Sequence, residues 1–284
     1  MWDSIIVNPF TNALLLIYAF VGNFGVAIIL FTIIVRLATH PIMVKQIKSS
    51  TAMQELMQSE EWLKIQEKYK GDKEKLAQEQ MRIYSERGVS PFSSCLPTLI
   101  QFPILIGFYQ SIVRAIGATP LQLLALVRGI SPWLASITPA ASLSSLIPIK
   151  SQFLWMNLGT PERLFLPFLP AVGGILPVGW GIPVLAIIVG LTTFVQTKLT
   201  MQPSANPNDQ SAQMNQMMGL YMPLLLFYFS LNFASGLAVY FIASNLFGIA
   251  QYAALGKVNW SNLFKFGPAK KPEIVKTKSG KKRS

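Results

Sequence analysis

One cysteine and one histidine in 284 residues leave almost nothing for thiol or metal chemistry. Cys95 has no partner for a disulfide and no neighbours for a cysteine metal cluster, so it reads as a small packing residue. His40 stands before Pro41 without an HExxH pair, a zinc set or a G-x-S-x-G elbow, which makes it a boundary residue rather than an acid/base group. No Walker-type loop is present. The sequence therefore asks for no nucleotide, no cofactor and no small-molecule substrate, and the protein is not expected to be an enzyme. Charge is scarce too, at 13 % of residues against about 25 % in soluble domains. With 51 % hydrophobic residues and a mean hydropathy of +0.43, that scarcity points to an all-α polytopic membrane protein. Met1-Trp2-Asp3-Ser4 carries no basic region ahead of its apolar stretch, unlike a signal or transit peptide. The expected home is a bacterial plasma membrane.

The charges that exist are unevenly placed. Residues 41–91 hold nine Lys/Arg and eight acids, and residues 257–284 hold nine Lys/Arg with Glu273 as the one acid. Arg114, Arg128, Lys150 and Arg163 are the cations of residues 92–181. Cytoplasmic loops are enriched in Lys and Arg. Residues 41–91 and the tail are thus expected inside, residues 117–165 outside, the N-terminus outside and the C-terminus in the cytoplasm.

Five transmembrane helices follow from the apolar pattern. Residues 1–22 read as an amphipathic helix on the outer surface, interrupted by Pro9, with Trp2, Phe10 and Tyr18 as interface aromatics. Span one takes 23–44. Residues 45–91 turn polar and strongly helix-forming. Gly71-Asp72 divides them, glycine suiting a helix end and aspartate an N-cap. The result is a cytoplasmic antiparallel helical hairpin, with Met53, Leu56 and Met57, then Ala77, Met81 and Tyr84, at the spacing of one helix face. Span two takes 92–116, with Pro97 and Pro103 tolerated where neighbouring helices re-satisfy the backbone. Residues 117–180 form an extracytoplasmic region with Trp133 and Trp155 at the interface. Span three (181–199), a cytoplasmic loop (200–213), span four (214–233), span five (236–256) and a basic cytoplasmic tail (257–284) complete the chain. Splitting 164–199 into two spans would put the basic tail outside, against its charge.

Arg36 is the exceptional residue. It follows twelve uncharged residues, Phe24 to Val35, and the next charge is Lys45, about 13 Å further along a helix. A guanidinium at that depth costs roughly 2.5–3.5 kcal/mol and ordinarily faces protein or a watery cavity. The alternative is an anchoring arginine at a membrane edge, which a span starting at Ala13 would require. The helix-weakening pair Gly22-Asn23 favours the later start. Thr32 shares a helix face with Arg36. Gln101, Gln110, Thr192, Thr193, Gln196, Ser230, Ser244 and Asn245 bring further donors and acceptors from other spans, either as interhelical hydrogen bonds or as walls of a hydrophilic groove. Thr32, Arg36, Gln101, Gln196, Ser244 and Asn245 are the groove candidates. Met214, Met217, Met218 and Met222 border it, a stripe that suits either packing or promiscuous apolar partners. In the tail, Lys270, Lys271, Lys276, Lys278, Lys281, Lys282 and Arg283 suit ribosomal RNA through counterion release or anionic lipid.

Several segments in order carry a resemblance. They are Val21-Gly22-Asn23-Phe24-Gly25 through Ile34-Val35-Arg36, the run Lys64 to Leu76, and Gly88-Val89-Ser90-Pro91 leading to Cys95-Leu96-Pro97 and Leu99-Ile100-Gln101-Phe102-Pro103-Ile104. Tyr221-Met222-Pro223 and Ser235-Gly236-Leu237 through Ser244-Asn245 follow. Across residues 4–256 the chain resembles the YidC-type membrane protein insertase family, in its short form without the large extracytoplasmic domain. The resemblance implies a five-span core with a cytoplasmic hairpin and a groove open to cytoplasm and lipid. It also implies an essential arginine at Arg36, nascent membrane proteins as partners, and a role beside the Sec translocon. The chain departs from the family pattern at Gln58 to Trp62, where a proline is common, at Ala234, where proline often precedes Ser-Gly-Leu, and at residues 161–180, which read as an insertion.

Overall fold

A computed structural model describes residues 1–57, 59–69, 71–88, 96–117, 119–132, 134, 148–164, 181–200, 210–258 and 260. A wide π-helical turn, Asp3–Val7, runs into α1 (Asn8–Val21). Pro9 does not interrupt this helix. It sits where the wide π-helical turn passes into α1. Gly22 ends α1 in the left-handed region at φ 72°, which glycine adopts without steric cost. The Asn23 side chain then accepts the Val26 N–H and opens α2.

Helix α2 (Phe24–Met57) passes through Pro41 without ending. The change to polar residues near residue 45 is therefore a change of surroundings along one helix, not a helix boundary. Ser59 caps α3 (Glu60–Lys68) by accepting the Trp62 N–H, and Asp72 caps α4 (Lys73–Glu86) by accepting the Lys75 N–H at 3.1 Å. Between them lies a small core of Leu56, Trp62, Ile83 and Tyr84, with Met53, Ile65 and Leu76 against it. This corrects the expected face of α4: Met81 is 56 % exposed and Ala77 is exposed. Tyr84 of the expected face is buried, and Leu76 and Ile83 beside it complete an arc that also fits helical periodicity and packs with Trp62.

Helix α5 (Leu96–Ile116) is followed by α6 (Pro120–Gly129), bent by 109° from residues 101–116 of α5. A short hairpin of β1 (Gln152–Phe153) and β2 (Met156–Asn157) pairs Gln152 with Asn157 and Phe153 with Met156. Helices α7 (Val184–Thr200), α8 (Gln210–Asn232) and α9 (Ser235–Ala254) complete the described elements.

Contacts set the helix directions. Gly236 on α9 backs onto Ile28 of α2 and Ile112 of α5. Further along α9, Tyr240 meets Phe108, Ser244 meets Arg36 and Gln251 meets His40. So α2 and α9 run the same way and α5 runs against them. Asn245 bonds Thr192 and Thr193, while Gly248 abuts Gln196, which sets α7 parallel to α9. Helix α8 packs on α7 and returns to α9 through Phe233-Ala234. The N-terminus of α9 is held by backbone carbonyls: Thr160 and Leu158 accept the N–H groups of Ser235 and Gly236, and Asn157 accepts the Ser235 hydroxyl. Those partners make Ala234 a sufficient N-cap without a side-chain bond. Glu162 does the same for α7, accepting the Leu185 N–H at 3.1 Å and the Trp155 indole N–H at 3.0 Å.

Three described helices are long and apolar enough to cross a membrane: Asp3–Val21, Phe24–Met53 and Ser235–Ala254. The bent pair Gln101–Ile116 and Pro120–Gly129 would make a fourth, and Val184–Thr200 and Gly219–Asn232 are shorter apolar helices. The fold is that of an all-α membrane protein.

Candidate functional site

Arg36 lies on the fourth turn of α2, about 18 Å from the start of that helix at ~1.5 Å per residue. Its Nη2 donates to the Ser244 hydroxyl on α9. No carboxylate pairs with it among the described residues. The guanidinium, with five N–H donors, thus keeps hydrogen-bonding capacity to spare in apolar surroundings. One turn away on α9, Tyr240 accepts the Gln101 Nε2–H at 2.5 Å, tying α5 into the same cluster. Two turns from Ser244, Gln251 Nε2 and His40 Nδ1 are 2.9 Å apart, a second link between α2 and α9.

Arg36, Gln101 and Tyr240 border a small concavity of about 30 Å³. Its walls include Thr32, Arg36, Thr39, Gln46, Gln101 and Tyr240, with Val35, Ile42, Met43 and Ile104 as apolar patches. Thr32 turns its hydroxyl to the Ile28 carbonyl at 2.7 Å, so it offers the concavity little more than its methyl group. On its other side lie stacked aromatics. Phe31 and Phe108 are parallel at 5.3 Å, and Phe108 meets Tyr240 at 4.6 Å. Tyr240 therefore joins two environments, its ring in the apolar stack and its hydroxyl among the polar groups.

Of the six groove candidates, Thr32, Arg36, Gln101 and Ser244 come together. The structure does not bring Gln196 and Asn245 to this concavity. Asn245 donates to Thr192 Oγ1 at 3.1 Å and Thr193 Oγ1 at 2.9 Å. Gln196 lies so close to Gly248 that an added Cβ would sit 2.6 Å from its Nε2. Both residues join α7 to α9, as interhelical polar groups do in membranes. Ser230 is also elsewhere, buried on α8. Tyr240, Thr39 and Gln46 were missed. Thr39 and Gln46 fall at helical spacing from Arg36 on α2, and Tyr240 is four residues from Ser244, so extending each face by periodicity finds them. The tail cations Lys270 to Arg283, the side chains of Met214 and Met218, Cys95, Trp133 and residues 165–180 lie outside the described residues. Met217 is 71 % exposed and does not line the concavity.

The likeness to known proteins covers almost all of this structure. The family model described as "60Kd inner membrane protein" matches residues 16–261. The membrane protein insertase MisCA of Bacillus subtilis is 35 % identical over 255 residues, covering 88 % of this chain and 77 % of its own length. The membrane protein insertase YidC 2 of Bacillus anthracis is 32 % identical over 257 residues, covering 88 % and 79 %. The membrane protein insertase YidC of Oceanobacillus iheyensis is 32 % identical over 265 residues, covering 90 % and 84 %. With the match extending from α1 to beyond α9 and taking in Arg36, Gln101 and Ser244, this bacterial membrane protein belongs to the 60Kd inner membrane protein family, that of the YidC-type membrane protein insertases.

Proposed function

We propose that the chain inserts small membrane proteins from the cytoplasm into the bilayer through the Arg36 concavity, without nucleotide hydrolysis. The observation that carries this reading is a guanidinium deep in an apolar bundle that meets a hydroxyl and, among the described residues, no carboxylate. An arginine kept for structure alone would be cheaper with an acid beside it.

The helix directions support the membrane arrangement of this reading. With α2, α7 and α9 one way and α5 and α8 the other, five spans alternate as a chain crossing five times requires. Helix α1 is long and apolar enough to be a sixth. Its ends argue against that: Gly22 joins it to the start of α2, and Asp3 pairs with Arg114 near the end of α5. Those two helix ends lie on the same side of the bundle, so α1 lies across the outer face. Helix α2, 34 residues long, spans about 51 Å and projects about 20 Å past a ~30 Å hydrocarbon core. That projection carries the hairpin into the cytoplasm.

The difficulty in insertion is moving a short polar tail across hydrocarbon. A hydrated concavity shortens the apolar path, and Arg36 offers a transient partner to a substrate Asp or Glu. At 4 Å and an effective dielectric near 20 the pair gains about 4 kcal/mol before desolvation, enough to hold a tail without trapping it. The membrane potential draws each negative charge outward with about 2.3 kcal/mol per 100 mV. The substrate's apolar segment then leaves sideways into lipid, and that burial supplies most of the drive. The hairpin receives nascent membrane proteins first. The basic tail adds an electrostatic hold on ribosomal RNA or anionic lipid, and the Sec translocon is a further partner for larger clients. The test is reconstitution in proteoliposomes with a single-span substrate bearing an acidic tail. Arg36→Ala should abolish insertion and Arg36→Lys should keep part of it. Equal activity of wild type and Arg36→Ala would remove the mechanism.

A further inference from the structure

The end of α5 remote from Arg36 carries a second concavity of about 450 Å³. Trp2, Asp3, Tyr109, Gln110, Arg114 and Leu121 are among its walls. Arg114 is its positive pole. Nη2 donates to the Asp3 carboxylate at 2.8 Å and Nη1 to Asn8 Oδ1 at 2.8 Å, which leaves three of the five guanidinium N–H donors for something else. Asp3 is the negative pole, 61 % exposed. Trp2 Nε1 donates to Gln110 Oε1 at 2.7 Å and fixes the indole as a wall. Opposite charges thus stand side by side at one mouth, held by the π-helical turn on one side and α5 on the other.

The surface leading to this mouth is apolar. Phe102, Ile106, Gln110 and Arg114 recur at every fourth residue and make one stripe along α5. Phe102 is 52 % and Ile106 46 % exposed. From Phe102 to Arg114 the stripe rises about 18 Å, close to the ~15 Å of hydrocarbon in one leaflet. Leu121, 81 % exposed, stands at the other lip. An arginine that only anchors a helix end needs neither a fixed carboxylate nor a cavity. A dissolved anion would have no use for the stripe.

We propose that this concavity holds one phospholipid with a zwitterionic headgroup. The phosphodiester sits on the free N–H groups of Arg114, the headgroup ammonium on Asp3, and an acyl chain along Ile106 and Phe102. Placing that lipid in the outer leaflet rests on the topology proposed above; its binding does not. The site would tie the π-helical turn to α5 through the surrounding bilayer.

Native mass spectrometry of the full chain, released from nanodiscs of equal phosphatidylethanolamine and phosphatidylglycerol, reads which lipid stays bound. Wild type should retain one phosphatidylethanolamine in preference to phosphatidylglycerol. Arg114→Gln should cut retained phospholipid about tenfold, the loss of one charge-assisted contact. Asp3→Asn should bring the two lipids to parity, and it serves as the second variant if Arg114→Gln does not fold. Soluble glycerophosphoethanolamine, a headgroup without chains, and inorganic phosphate should not displace the lipid. Unchanged retention in Arg114→Gln, unchanged preference in Asp3→Asn, no preference in wild type, or displacement by either soluble phosphate would overturn the site. Arg36→Ala should retain the lipid as wild type does, so this inference and the insertion reading fail separately.

Discussion

Along α2 the surroundings change at Thr32. Phe24, Ala27, Ile28 and Phe31 are at most 5 % exposed, whereas from Ile33 to Gln46 no residue of the same helix is buried. Helix α9 shows the matching change: residues 234–241 are all buried, and beyond them burial becomes patchy. One half of the bundle is therefore closed by aromatic packing of Phe10, Phe31, Phe108 and Tyr240. The other half is held by a few polar links, Arg36 to Ser244, Gln101 to Tyr240 and His40 to Gln251. The Arg36 concavity thus lies beside the loosely packed half, next to the aromatic stack.

Substitutions in the two halves should part along that line. Arg36→Ala is expected to give the largest effect, loss of insertion of acidic-tailed substrates in proteoliposomes, while the melting temperature in detergent stays near that of wild type. Phe108→Ala should do the reverse. The ring leaves a cavity in the stack, and because lipid tails are as apolar as the bundle interior, the cavity term outweighs transfer, for a loss of about 1–3 kcal/mol in SDS-unfolding titrations. Insertion per folded molecule should change little. If Phe108→Ala lost activity and kept its stability, the distinction between packed and working halves would fail.

A finer division runs between polar residues within the spans. Asn245→Ala removes the links from α9 to Thr192 and Thr193 and should cost about 0.6–2 kcal/mol of stability, measured by the same titration, with insertion of acidic-tailed substrates retained. A defect in insertion as deep as that of Arg36→Ala would return Asn245 to the groove.

The hairpin should respond to pH through its cap. Bonds from the Lys75 backbone and side chain hold the Asp72 carboxyl below its ordinary pKa. A depressed folded pKa contributes stability above the ordinary carboxylate range, and that contribution is lost as pH falls through the depressed value. Amide exchange in the first turn of α4 should accordingly speed up, beyond the intrinsic pH effect, as the pH drops below the ordinary aspartate range. Asp72→Asn, which can still cap, should lack this extra dependence, the smallest of the effects expected.

Much of this was legible in the residues. The apolar runs located α5, α7, α8 and α9, Gly22-Asn23 marked the entry to α2, and Asp72 marked the start of α4, because solvation of apolar side chains and capping of backbone N–H groups are local demands. Arg36 stood out for the same reason: a charge inside an apolar run costs energy wherever the fold takes it. What local demands could not supply were partners. Whether Asn245 and Gln196 face a recess or a neighbouring helix, or whether Met81 or Ile83 faces inward, depends on which helix lies beside each arc. Periodicity permits adjacent arcs equally.

The sequence by itself determined the class of protein, the apolar helices α5, α7, α8 and α9 and the costly arginine, since hydropathy, charge and capping act over a few neighbouring residues. Tertiary structure alone decided that Ser244 meets Arg36, that Tyr240 ends the aromatic stack, and that Asp3 closes on Arg114. These pairs are 208, 132 and 111 residues apart or join three helices at once, and only the packing of whole helices brings such distant groups within reach.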